Sequence, residues 1–123
     1  MNSSKTLHEL CDALGVTRRA VQGYEKAGLV SASGRNKYGH LLYDEVSQKR
    51  IAQIRLYQQF GFKVKEIKYL LEASDQEVQK AIKRQVSHLK AERARIDALI
   101  EKACELLDAK KVNTNIFDGG NNL

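Results

Sequence analysis

The sequence predicts an all-α fold with a small β wing: a winged helix-turn-helix domain followed by one long coiled-coil dimerisation helix. Three observations carry this. Residues 6–21 hold two helix signatures separated by a glycine turn. Residues 35–43 hold a short hairpin pattern around Gly39. Residues 82–107 repeat a seam in alternating steps of four and three. Proline is absent from the 123 residues, which favours uninterrupted helices.

In the first helix Leu7, Leu10, Cys11 and Leu14 share one stripe. Thr6 and Glu9 have capping-box spacing, and Gly15 supplies a left-handed exit. Thr17 then caps a second helix, with Val16 and Val21 spaced as a hydrophobic staple. Its first turn carries Arg18 and Arg19. This is the layout of a helix-turn-helix whose second helix enters a DNA major groove, where an arginine forks onto guanine or pins a phosphate.

Gly28 stops the second helix, Leu29 and Val30 leave it extended, and Ser31 to Gly34 read as a loop. In Arg35-Asn36-Lys37-Tyr38-Gly39-His40-Leu41-Leu42-Tyr43, Gly39 permits a tight turn between two short strands. Basic and aromatic residues at such a tip suit a phosphate backbone; the alternative is an ordinary polar loop. Asp44 caps a third helix to about Gln59, expected to send Val46, Ile51, Ile54 and Tyr57 into the core. Gly61 ends it and Phe62 anchors the turn. Val64, Ile67, Leu70 and Leu71 mark a fourth helix.

Ser74 and Glu77 open a fifth helix with another capping box. Its seam holds Ile82, Val86, Leu89, Arg93, Ile96, Ile100, Ala103 and Leu107. A helix from Asp75 to about Ala109 is ~50 Å long at 1.5 Å per residue. A seam of that length needs a partner, and a second copy of the same helix is the economical one. The alternative is a helix folded back on its own domain. Arg93 marks the register or snorkels to the seam's edge. The expected organisation is therefore 1–73 for the DNA-binding domain with its second helical pair, 74–110 for the coiled coil, and 111–123 for a short tail. Within that tail Ile116 and Phe117 dock on the partner or are disordered.

The net charge is +6. Residues 1–72 hold 12 Lys/Arg against 7 Asp/Glu, giving +5; residues 73–123 hold 9 against 8, giving +1. The excess lies with the helix-turn-helix, and a polyanion is the simplest partner. No apolar run of ~18 residues exists, and Met1 to Lys5 lack the apolar core of a signal peptide. A cytoplasmic location is expected. Cys11 reads as a small core residue, and Cys104 as a helix residue with a thiol-sensing alternative. His8, His40 and His88 lie far apart in sequence, and no cofactor or metal is expected. There is no glycine-rich phosphate loop, nucleophile elbow or paired-histidine motif, so an enzyme is not expected.

Taken together, Leu7–Leu14, Gly15-Val16, Thr17-Arg18, Tyr24-Glu25, Gly28-Leu29, Gly39, Leu42-Tyr43, Ile54, Gly61-Phe62, Glu66-Ile67 and Leu70-Leu71 resemble the mercury-resistance regulator (MerR) family of bacterial transcription factors. The resemblance covers residues 6–72 closely and the long helix in outline. It implies an antiparallel homodimer on a palindromic promoter operator in double-stranded DNA, distortion of that DNA for RNA polymerase, and a possible effector of unknown identity. It also implies a reduced effector tail. Family metal sensors use cysteines near the start of the dimer helix and in the tail, and both segments lack them here. Where the family usually has arginine and an aromatic residue, this chain has Gln22 and Gly23; where it usually has tyrosine and arginine, it has His40 and Leu41. The proline pair common after the second helix is also absent.

The expected DNA-contacting set is Thr17, Arg18, Arg19, Gln22, Tyr24, Arg35, Asn36, Lys37, Tyr38, His40 and Tyr43. The expected function is sequence-specific transcription regulation by a homodimer. The alternative is a dimeric protein-interaction adaptor whose DNA affinity has been weakened by Gln22, Gly23 and Leu41.

Overall fold

The structure is a computed structural model describing residues 3–121, with the side chains of 112–121 outside that description. In chain order the elements are β1 (Lys5–Thr6), α1 (Leu7–Leu14), α2 (Arg18–Lys26), β2 (Gly34–Arg35), β3 (Leu41–Tyr43), α3 (Glu45–Gln59), α4 (Val64–Glu72) and α5 (Asp75–Asn121). The chain divides into two compact units, Met1–Val78 and Gln79–Leu123.

The first unit is built on its caps. The Thr6 hydroxyl accepts the Glu9 N–H at 3.3 Å, and the Thr6 N–H donates to Glu9 Oε1 at 2.9 Å. That second bond holds the Glu9 carboxyl below the usual carboxylate range, because the ionised form is the better acceptor. α1 ends at Gly15, whose φ of 65° is the left-handed exit expected of it. Thr17 Oγ1 accepts the Ala20 N–H at 3.0 Å and opens α2. Asp44 Oδ1 accepts the Ser47 N–H at 2.9 Å and opens α3; Ser74 Oγ accepts the Glu77 N–H at 3.2 Å and opens α5.

The wing is part of a three-stranded antiparallel sheet in the order β1-β3-β2. β3 is central, pairing Tyr43 with Lys5 and Leu41 with Arg35. The sequence pattern anticipates β2 and β3 but not β1. Two residues carry no period, and β1 is defined only by its pairing with β3. The core is closed by the fully buried Leu10, Val21, Leu29, Tyr43, Ile51, Ile54 and Ile67. Tyr57 and Phe62 meet edge to face, centroids 5.9 Å apart, where the α3–α4 turn folds back.

Two sequence expectations need correction. Val46 is 74% exposed and forms no part of the core. It sits in the first turn of α3, whereas the buried stripe of that helix runs through Ile51, Ile54 and Tyr57. The backbone of α5 also continues to Asn121, past the end near Ala109 that the seam implied. Apolar periodicity marks where a helix is to be covered, and a polar continuation leaves no such mark. The Ile116–Phe117 side chains, assigned above to the tail, lie outside the described residues.

Candidate nucleic-acid interface

The elements of the first unit bring the exposed face of α2 and the wing to one groove. Its volume is about 470 Å³, and it is lined by Thr6, Leu7, His8, Arg18, Gln22, Arg35, Gly39, His40 and Leu41. Four predicted contact residues, Arg18, Gln22, Arg35 and His40, thus converge from two segments of the chain. Two carboxylates of α1 border the groove: Glu9 Oε1 accepts the Thr6 N–H at 2.9 Å, and Asp12 Oδ2 is 3.5 Å from His8 Nε2. The lining itself contains two arginines and two histidines and no acid, so it favours an anion.

Each member is positioned by a local cause. Arg18 and Arg19 are the first two residues of α2, exposed because Thr17 starts the helix with its buried face turned to Val21 and Tyr24. Gln22 lies one turn on from Arg18, on the same exposed face. The α2 N-terminus adds the positive end of the helix dipole to this cationic surface.

The wing tip is held by Asn36. Its Oδ1 accepts the N–H groups of Tyr38 at 2.9 Å and His40 at 3.0 Å. The Asn36 carbonyl accepts the Gly39 N–H, and the Asn36 N–H donates to the His40 carbonyl. Gly39 adopts φ 82°, the left-handed conformation the turn requires. Arg35 reaches across the tip, its Nη1 donating to the Gly39 carbonyl at 2.6 Å. Asn36 is therefore occupied in shaping the hairpin. Lys37, with its ammonium 5.3 Å from the Tyr38 ring centre, and Tyr38 itself, 72% exposed, form the outer tip. His40 stands beside that ring, centroids 6.4 Å apart.

Tyr24 and Tyr43 are placed differently from the surface position the sequence reading gave them. Both are buried. Tyr24 lies three residues after Val21 on the buried stripe of α2, and its hydroxyl donates to Gln58 Oε1 at 2.6 Å. The Tyr43 hydroxyl donates to the Glu25 carboxylate, 3.2 and 3.3 Å from its two oxygens. Burial first, then the Glu25 charge and its hydrogen bond, push the Tyr43 phenol up to about 12; burial likewise raises that of Tyr24. Both tyrosines sit behind the contact face and fix it.

The supporting residues absent from the sequence reading are Glu25, Gln48, Arg50 and Gln58 as hydrogen-bond partners, with Thr6, Leu7 and His8 as groove lining. Gln48 Nε2 donates to the carbonyls of Ser3 at 2.8 Å and Tyr43 at 2.7 Å, tying α3 to the sheet. Arg50 Nε donates to the Leu29 carbonyl, and its Nη2 lies 3.3 Å from Glu72 Oε2, which fastens the exit of α2 to α3 and α4. The spacing of Val21 and Tyr24 was a signal for the burial of Tyr24. No local pattern signals the other partners: apart from the Gln48–Tyr43 bond over five residues, each bond spans elements distant in sequence.

In the second unit the seam side chains Val86, Leu89, Ile96, Ile100 and Leu107 are 43–67% exposed in the single chain, as are Leu99 and Leu106 beside them. Arg93 and Ala103 are exposed and Ile82 is half-buried. Cys104 is exposed. Cys11 is half-buried, and burial pushes its thiol up. Among the described residues no cluster of three His, Cys, Asp or Glu side chains forms a metal site, and no helix is long and apolar enough to cross a membrane.

The family described as MerR HTH family regulatory protein matches residues 5–74, and the one described as MerR, DNA binding matches residues 48–109. Nodulation protein NolA of Bradyrhizobium elkanii is 29% identical over 108 residues, covering 88% of this chain and 49% of that protein. The chain thus spans about half the length of this curated relative. A MerR-family transcriptional regulator from Bacillus cereus superposes with a TM-score of 0.77 at 25% identity, over 88% of this chain and 83% of that one. HiNmlR, a MerR family regulator lacking the sensor domain and solved bound to promoter DNA, shares the fold with a TM-score of 0.68 at 18% identity, over 89% and 91% of the two chains.

Proposed function

This chain belongs to the MerR family of helix-turn-helix regulatory proteins, and on that premise we propose that it is a homodimeric, sequence-specific transcription regulator. It binds a palindromic promoter operator in double-stranded DNA and acts by distorting that DNA, in the cytoplasm of a bacterium, where RNA polymerase engages the distorted promoter. The observation that carries the reading is the groove in which Arg18 and Gln22 of α2 meet Arg35 and His40 of the wing. α2 offers Arg18, Arg19 and Gln22 to base edges and phosphates, with Thr17 at its capped N-terminus. The wing offers Arg35, Lys37, Tyr38 and His40 to the neighbouring backbone, with Asn36 shaping its tip. That a protein of similar fold, HiNmlR, was solved bound to promoter DNA supports a DNA partner for this face.

Dimerisation rests on the exposed seam of α5. A fully buried large aliphatic side chain contributes about 1.5–3 kcal/mol before ordering costs, and Ile82, Val86, Leu89, Ile96, Ile100 and Leu107 from each of two copies form a sufficient interface. Two arms held at fixed separation read two half-sites, and a change in the angle between them bends or untwists the intervening DNA. An effector or a partner that alters that angle is the means of regulation.

Ile96→Asp tests the coupling of dimer to operator. The variant is expected to sediment as a monomer and to lose operator binding, while the first unit keeps its thermal transition. Tight palindrome binding by a proven monomer contradicts the reading.

A further inference from the structure

We propose that two copies of α5 pair in one specific antiparallel register, selected by charge, in which Lys90 of each copy lies beside the partner's Asp97. The proposal rests on the dimer reading above, with the antiparallel direction that the family resemblance implies, and adds to it the alignment and the residues that enforce it. The seam allows the helices to slide only in whole heptads, because any smaller step takes apolar side chains off the shared face. Three alignments therefore compete.

In the first, Ile82 faces the partner's Leu107 and Val86 faces the partner's Ala103. Leu89 faces the partner's Ile100, and Arg93 faces the partner's Ile96. Every seam residue then meets another seam residue. Sliding by one heptad toward the helix N-terminus sets Ala103 opposite the partner's Gln79 and Leu107 opposite the partner's Asp75. Sliding the other way sets Val86 opposite the partner's Lys110. Either shift strips apolar contacts from both ends.

Charge on the flanks reinforces the choice. When helices run in opposite directions, the flank that follows Leu89 and Ile96 lies along the same flank of the partner. That flank carries Lys90 and Asp97, both exposed in the single chain. The first alignment sets Lys90 beside the partner's Asp97, twice by symmetry. The N-terminal shift keeps two attractive pairs, Lys83 beside the partner's Asp97, but sets Lys90 beside the partner's Lys90 and, on the other flank, Glu92 beside the partner's Glu92. The C-terminal shift sets Asp97 beside the partner's Asp97. Like charges placed directly opposite oppose pairing. The same first alignment puts the two Arg93 side chains near the dyad, each next to the partner's Asp97.

The experiment is a charge swap read by sedimentation at low ionic strength on the full chain, with a cross-linking arm. Lys90→Glu and Asp97→Lys are each expected to weaken the dimer about ten-fold, since two attractive pairs become repulsive. The double variant Lys90→Glu/Asp97→Lys restores it to within about three-fold. Val86→Cys combined with Ala103→Cys forms a covalent dimer on mild oxidation, with a peptide joining positions 86 and 103. Dimers that persist without restoration, or without that peptide, overturn the register and leave the dimer standing. A wild-type chain that sediments as a monomer overturns the dimer and the register together.

Discussion

The Tyr43 hydroxyl is shared between both oxygens of the Glu25 carboxylate, at 3.2 and 3.3 Å. Tyr43 ends β3, the central strand of the wing, and Glu25 lies near the end of α2. This bond therefore links the two elements that line the groove. Removing it with Tyr43→Phe is expected to cost about 1–2 kcal/mol of stability. It should also weaken duplex DNA binding several-fold, because the wing loses its fixed position against α2. Urea unfolding and a DNA titration of the same variant check both effects; an unchanged affinity would show that the link does not position the wing.

The same pair sets an alkaline limit. The Tyr43 phenol is raised to about 12 in the folded chain, by burial first and by Glu25 second, against about 10 in an unfolded one. The folded state holds this proton more tightly, so its contribution is complete below about pH 10 and is lost as pH rises to about 12. Melting temperature should fall across that window. Tyr43→Phe should flatten the fall, and an equal slope in the variant would assign the loss to other groups.

At the acid end, Asp44 behaves in the opposite sense. Its carboxyl is held below the usual range, chiefly by the Ser47 backbone N–H and also by the Ser33 hydroxyl. A depressed carboxyl stabilises above its unfolded pKa, and that contribution disappears as pH falls through the lowered folded value. Asp44→Ala should lower the melting temperature at neutral pH and leave it little changed in strong acid. A difference that persists in strong acid would mean that capping is not the cause.

Gly23 offers the reverse change. It is exposed in the middle of α2, its φ lies outside the left-handed region, and a Cβ there would meet nothing within 4 Å. Gly23→Ala should stabilise the first unit by about 0.5–1 kcal/mol through helix propensity and unfolded-state entropy. Denaturant midpoints measure this directly; a lower midpoint would reveal an undetected clash.

Much of this fold is legible in the sequence, for a physical reason. Thr6, Thr17, Asp44 and Ser74 are caps, and a cap is a local interaction over three residues. Gly15 and Gly39 mark turns for the same reason. What escaped the sequence was tertiary. β1 exists only through its pairing with β3. Tyr43 looked like a wing surface residue because it closes the segment that begins with the basic, aromatic Arg35-Asn36-Lys37-Tyr38, yet its ring fills the core and its hydroxyl finds Glu25 eighteen residues away. Val46 looked like core because it is apolar, but the first turn of α3 lies at the edge of the buried stripe. The groove itself joins α1, α2 and the wing, and no single segment of sequence contains it.

A salt titration of binding to duplex DNA tests the central claim most directly. The account predicts firm binding in dilute buffer that weakens steeply with salt, by a slope near 0.9 for each phosphate neutralised. Arg18→Ala or Arg35→Ala should each make that slope shallower by about one contact. Duplex left unbound by the wild-type protein even in dilute buffer would contradict it.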